Sequence, residues 1–426
     1  MGDYTFAYCL NLEKAVIPSS IKTIGLYNFA GCELLTNINL SHVENIKDYA
    51  FTSCLSLEVV DLTSVKSIGT GAFAQTYISG DLVCNNLTKV DDYAFQNANI
   101  SKFTAPILEE IHEGAFQGCA KLTNVVVPSS VKYIEKGAFA GCSSLASIEL
   151  PFVGMGYVVD KTTGVISNVF STDYNFGHIF SSAANPDNGN VVPRNLRTVT
   201  ITGDYDVIDR AFINCERIQT LTISNNVKNI GVEAFRNCTS LKNFAVPQNL
   251  EHMGASAFEN CSSLVSFELP QTITELSESV FSSCSKLQSL DLTYITYIGK
   301  YALFNCAKLE VVISGENNNY EVADSILYTK GQTQIIRYPS SLEAESFTIP
   351  STVKVFGFFF FSLSFLGFAI FGLNLASIPF LIASAIGEKQ VDDNSENNFF
   401  NSSFFSNVFS DWIYPHHSLS NSSFKW

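Results

Sequence analysis

A chain of 426 residues is longer than one hydrophobic core organises, so the sequence encodes either several domains or a repeat array. With 46% hydrophobic and only 15% charged residues, it is not a disordered chain. A net charge of −15 with no run of Lys or Arg excludes a nucleic-acid binder, which needs a basic footprint against phosphate.

The periodicity starts at once. Met1-Gly2-Asp3-Tyr4 has neither the basic nor the apolar region of a secretory signal, and it reads as the middle of a repeat. Ala-Phe or a close variant recurs with its aromatic residue at Phe6, Phe29, Phe51, Phe73, Phe95, Phe116 and Phe139. It resumes at Phe212, Phe235, Phe258 and Phe281, and Leu303 takes the same place once more. The steps are 21 to 23 residues, apart from one of 73. A fixed period of this length marks a solenoid.

Three residues after most anchors comes Cys, as at Cys32, Cys54, Cys119 and Cys142, and three further on an aliphatic residue such as Leu35 or Leu145. Apolar spacing of three predicts a 3₁₀ or short helical turn facing the core. The period then changes to two, as in Val125/Val127 and Ile148/Leu150, which predicts a short strand with one buried face. Proline often ends that strand, as at Pro128 and Pro151. Pairs such as Val131/Ile134 then turn back inward before the next anchor. A single coil cannot bury its own apolar face, so the coils must stack, with a parallel sheet on one side and turns on the other. The expected fold class is an α/β solenoid of parallel strands and short helical turns. Phe29, Phe51, Phe73, Phe95, Phe116, Phe139, Phe212, Phe235, Phe258 and Phe281 form its structural core column.

The blocks V-V-V-P-S-S-V-K-Y-I-E-K-G-A-F-A-G-C-S-S-L (125–145) resemble the BspA-like leucine-rich-repeat family. Residues 150–215, with N-F-G-H-I-F (175–180) and D-R-A-F-I-N-C (209–215), resemble a long-repeat cassette of that family. So does 317–350, with D-S-I-L-Y-T-K (324–330). The resemblance implies a surface protein of bacteria or of parasitic or commensal protists, associated with adhesion to host proteins or cells. It implies no catalytic residue and no cofactor.

The expected organisation is a leucine-rich-repeat solenoid over 1–354, with an excursion at 151–195 and an atypical repeat at 314–354. The period is lost across 151–195, and Asn185-Pro186-Asp187-Asn188-Gly189-Asn190 supplies turn signals. Deleting 155–190 is therefore expected to leave a folded array. Residues 355–387 contain no charged side chain, which predicts a membrane-spanning helix. Degenerate repeats are the other reading, since I-P-F-L-I-A-S-A-I-G-E-K (378–389) resembles a worn repeat. A Phe-, Ser- and Asn-rich tail occupies 388–426.

Among chemistry-bearing residues, the sequence offers eleven cysteines, never spaced C-x-x-C, which argues for a buried column of free thiols rather than a zinc site. Its six histidines are scattered and read as structural or solvated, and no phosphate loop or nucleophile elbow is present. The expectation is therefore no enzyme, no metal and no cofactor. The candidate binding face is the set of strand residues pointing away from the core: Asn39, Asp61, Glu149, Thr200, Thr222, Glu268 and Asp291. These vary where the core columns are uniform, as expected of a recognition surface. A protein ligand, such as a host extracellular protein, is the expected partner, at a cell surface. An intracellular scaffold or a truncated, decaying repeat product are the alternatives.

Overall fold

The computed structural model describes residues 1–154, 156–159, 166–168, 174–183, 186–340, 342 and 347–356. They form a stack of about 13 coils. A seven-stranded parallel sheet includes Asn124–Val126, Ser147–Leu150, Thr198–Ile201, Thr220–Thr222 and Asn243–Ala245 in adjacent positions. A second parallel sheet of six two-residue strands includes Lys89–Val90, Glu110–Ile111 and Tyr133–Ile134. Residues alternate as the period of two requires: Val125 and Val127 are buried while Val126 is 59% exposed.

The phenylalanine column forms two stacked series. Rings from Phe6 to Phe139 stack in succession with centroids 5.1 to 5.6 Å apart. The series resumes from Phe212 to Phe281 at 5.0 to 5.7 Å. The residue before most anchors is a buried alanine, and its carbonyl is reached by the neighbouring coil. The Phe29 N–H donates to the Ala50 carbonyl at 2.8 Å, and Phe51 to Ala72 likewise.

The anchor segments are tight turns that face the core as the spacing of three predicts, but they do not form 3₁₀ or α-helical segments. The three-residue hydrogen bonds are present, as from the Cys32 N–H to the Phe29 carbonyl (3.1 Å) and from Leu35 to Cys32 (3.1 Å). Two residues before and two after the anchor, however, the backbone enters the left-handed region. Tyr27 and Gly31 flank Phe29 with φ of 51° and 69°, and Ser256 and Asn260 flank Phe258 with 55° and 59°. This reversal stops a helix from propagating and frees alternate N–H groups to bond the next coil. It also explains the Gly, Asn and Ser two residues after the anchor, since Gly and Asn tolerate positive φ best. Among the described residues the only helical segments are a 3₁₀ turn at Phe176–Phe180 and one α-turn at Asn188–Val191.

Ten of the eleven thiols are buried and all are unbridged, but Cys9 is exposed, contrary to the expectation of a uniformly buried column. Cys9 lies in the first described coil, where no described coil stacks on the outer side. The Cys54 thiol donates to the Phe29 carbonyl at 3.1 Å, Cys119 to Phe95 at 3.1 Å and Cys261 to Phe235 at 3.2 Å. Cysteine suits the position as a small apolar residue with one weak donor, aimed at a buried carbonyl of the preceding coil. Burial pushes the Cys142 and Cys238 thiols up to about 12, which suppresses the reactive thiolate. We expect a thiol-specific disulfide reagent at mildly alkaline pH to titrate one fast-reacting cysteine in the native chain, Cys9, and the rest only on denaturation. Several fast thiols in the native chain would contradict the buried column.

The segment read as an excursion over 151–195 divides in two. Residues Tyr157–Val159 and Ile166–Asn168 form an antiparallel hairpin outside the repeat pattern. Residues 174–192 instead complete a coil. Phe176 packs 4.9 Å from Phe212, the Phe139 N–H donates to the Ile179 carbonyl (2.8 Å), and the Phe176 N–H donates to Ala211 (2.8 Å). Phe152, Phe176, Ile179 and Phe180 are buried in the common core. Meanwhile Ser147–Leu150 pairs directly with Thr198–Ile201, so the sheet crosses the insertion without a break.

After the last coil, Tyr320–Ala323, Ile326–Thr329 and Gln334–Arg337 pair antiparallel, and Val355–Phe356 joins Gln334–Arg337 in parallel. This unit is tied to the stack by the buried Asn317 amide, which donates to the Leu292 (2.8 Å) and Ile295 (2.9 Å) carbonyls. The buried Arg337 guanidinium donates to the Cys306 carbonyl at 2.8 Å. Val355 and Phe356, the first residues of the expected membrane segment, thus belong to a strand, and 357–387 lies outside the described residues. Among the described residues no helix is long and apolar enough to cross a membrane.

Candidate functional site

Strand register places part of the candidate face side by side. Val126 pairs with Glu149, Glu149 with Thr200, Thr200 with Thr222, and Thr222 with Ala245. Glu149, Thr200 and Thr222 therefore sit on three successive strands with their neighbours Ile148, Val199 and Leu221 buried. Asp291 pairs with Val312 in a separate two-stranded sheet.

The remaining candidates are engaged locally. The Asn39 side chain accepts from the Ile17 N–H (2.6 Å) and donates to the Ile17 carbonyl (3.0 Å), replacing a ladder rung between coils. Asp61 accepts from the N–H (3.0 Å) and hydroxyl (2.6 Å) of Thr63. Asp291 caps Thr293 in the same way and also accepts from the Ser314 N–H. Burial acts against its carboxylate, but these bonds hold its pKa below the ordinary value. Asn39, Asp61 and Asp291 are thus turn and strand fasteners, whereas Glu268 is exposed at the end of an irregular stretch.

A second constellation was not singled out by sequence. Immediately after the two-residue strand that precedes the anchor, five coils carry glycine, at Gly25, Gly69, Gly231, Gly254 and Gly299. In three successive coils that place is held by Asp91, His112 and Glu135. The His112 side chain is only 5% exposed. Its Nε2 lies 3.2 Å from Glu110 Oε2 and 3.0 Å from the Tyr133 hydroxyl. Its Nδ1 faces Glu135 Oε1 at 3.4 Å and Asp92 Oδ1 at 4.0 Å, and Asp91 Oδ1 stands 3.8 Å from Nε2. Asp92 and Glu135 are brought together by accepting from one donor, the Glu113 N–H, at 3.2 Å each. Lys89 is paired to Asp91 at 2.7 Å.

The electrostatics follow from this crowding. Burial disfavours the His112 imidazolium, but bonding to Glu135 and Glu110 outweighs it and raises the pKa above the ordinary histidine value. Asp92 is raised by burial first and then by the Glu135 carboxylate beside it. The scattered histidines were expected to be structural or solvated, with no metal ligand among them. His112 is structural, and it is the buried centre of five acidic and phenolic oxygens drawn from three coils. The legible signal was the triple replacement of a repeat glycine by Asp, His and Glu.

The model of the BspA type leucine rich repeat region matches in six copies, over residues 1–120, 109–155 and 206–331, leaving out the expanded coil. No curated protein matches the chain. Among solved structures, a leucine-rich repeat protein from Bacteroides ovatus is 21% identical, over 73% of this chain and 81% of that one, with a TM-score of 0.43. A leucine rich cell surface protein from Faecalibacterium prausnitzii is 22% identical, over 74% of this chain and 83% of that one, with a TM-score of 0.32. With the repeat signature matched over most of its length and its coils stacked as that signature requires, the chain belongs to the BspA-type leucine-rich-repeat family.

Proposed function

We propose that the chain is a non-enzymatic recognition protein of a cell surface, binding a protein ligand on the outward face of its long parallel sheet. A host extracellular protein is the partner class that the adhesion role of the family implies. The observation that carries this reading is the side-by-side register of Glu149, Thr200 and Thr222, which gives a variable strip above buried columns of repeated residues. Such a strip binds by area and side-chain complementarity, and needs no pocket. The free thiols do not argue for an intracellular scaffold, because their burial is explained by packing and most also serve a carbonyl, as Cys54, Cys119 and Cys261 do. The uncharged segment 357–387 would hold the solenoid at a membrane.

The test has two arms. Purified chain is presented to immobilised extracellular-matrix proteins, and the triple variant Glu149→Arg, Thr200→Arg, Thr222→Arg is compared with wild type. We expect at least tenfold weaker binding with an unchanged melting temperature; equal binding by both would remove this face from the proposal. In cells, the full chain should resist alkaline carbonate extraction while a chain ending at Phe356 is released. Release of both would remove the anchor.

A further inference from the structure

We propose that Asp92, His112 and Glu135 form a binding site for a divalent transition-metal ion of the zinc or manganese class, with His112 ligating through Nδ1. The buried imidazole, more than the number of acids, marks the place. One oxygen from Asp92, one from Glu135 and a ring nitrogen of His112 lie within 4.8 Å of one another. In a tetrahedral site with bonds of about 2.1 Å, ligand atoms stand about 3.4 Å apart. Nδ1 to Glu135 Oε1 already has that separation, at 3.4 Å, and Asp92 Oδ1 at 4.0 Å needs a shift of roughly half an ångström.

The other face of the ring is arranged as a ligating histidine requires. A metal-bound imidazole donates its second N–H to a carboxylate, which fixes the ring and raises its basicity. Glu110 Oε2 stands 3.2 Å from Nε2 and the Tyr133 hydroxyl 3.0 Å. That leaves Nδ1 directed between Asp92 and Glu135. The Asp92 side chain is 47% exposed, which provides an entry path and room for water as a fourth ligand. The Asp92 and Glu135 carboxylates, held side by side by the single Glu113 N–H, are what a cation would neutralise. One nitrogen with two carboxylates suits zinc or manganese, whereas calcium prefers a shell made of oxygen alone. Because the three ligands come from three successive coils, the ion would staple those coils together. The site lies on the second sheet, and so does not depend on the ligand-binding strip proposed above.

The experiment uses the full chain, stripped with a chelator and titrated with zinc chloride alone, by calorimetry and by thermal melting. We expect one high-affinity zinc per chain and a melting temperature raised by zinc and restored by chelator, with no response to calcium. Affinity should rise with pH as the proton leaves Nδ1. His112→Gln and Glu135→Gln should abolish that zinc-dependent shift. Glu110→Gln, which keeps all three ligands, should weaken binding by about 10- to 100-fold. Should His112→Gln fail to fold, Asp92→Asn and Glu110→Gln carry the test alone. Unchanged zinc affinity in these variants would assign the metal to other groups, such as the adjacent His416 and His417, and overturn the proposal. So would an absence of any zinc effect on the wild-type melt.

Discussion

Replacing Phe258 with alanine should destabilise the array by about 3–5 kcal/mol, the usual cost of emptying a large aromatic site in a core. Phe258 is fully buried and touches four other rings. Phe235 and Phe281 stack on it at 5.0 and 5.7 Å, while Phe244 and Phe267 meet it edge-on, both at 5.0 Å. The vacancy cannot close by small shifts, because the coils on both sides are fixed by backbone ladders. The Phe258 N–H bonds to the Val280 carbonyl at 2.9 Å, and the Phe235 N–H to Ala257 at 2.8 Å. Coils in a solenoid are coupled to nearest neighbours, so the loss should be local first. Hydrogen exchange should show protection falling across residues 235–281 before the first coils respond, with a lowered denaturation midpoint. Val232→Ala, at a residue 42% exposed, should cost less than about 0.5 kcal/mol. Similar small effects for both changes would mean that the stacked column does not carry the fold.

Two deletions in the expanded coil should part sharply. Removing the hairpin residues 157–168 should leave the array folded, because the sheet passes directly from Ser147–Leu150 to Thr198–Ile201. Removing 174–192 should destabilise it by on the order of 5 kcal/mol or more, since two buried aromatic side chains are lost together. Phe176 and Phe180 leave the core, and so does Asn188, whose side chain accepts from the Gly177 N–H (2.7 Å) and donates to the Ile213 carbonyl (2.8 Å). The N–H groups of Gly137 and Phe139 also lose their acceptors, the His178 and Ile179 carbonyls, and become buried donors without partners. Circular dichroism melts of the two deletions, side by side, decide the matter. Equal tolerance of both would show that 174–192 is an appendage, as its broken periodicity suggested.

The stacking of coils was legible in the sequence because periods of about 22 and of two residues each have one physical cause. Inward residues must recur where the chain returns to the core, so the Phe and Cys columns and the Val125/Val127 alternation follow from residue spacing alone. The family followed from the same residues. Spacing could not distinguish a 3₁₀ helix from the observed turn, because both bring residues three apart to one face; left-handed φ at Tyr27 and Gly31 is set by hydrogen bonding to the next coil. Nor could it place Phe176, whose sequence neighbours break the period while its spatial neighbour Phe212 keeps it. The Asp92, His112 and Glu135 constellation lay furthest from view. Each belongs to a different coil, and only the stacking distance between coils, with Glu113 binding two carboxylates at one N–H, brings three ordinary polar residues within reach of one ion.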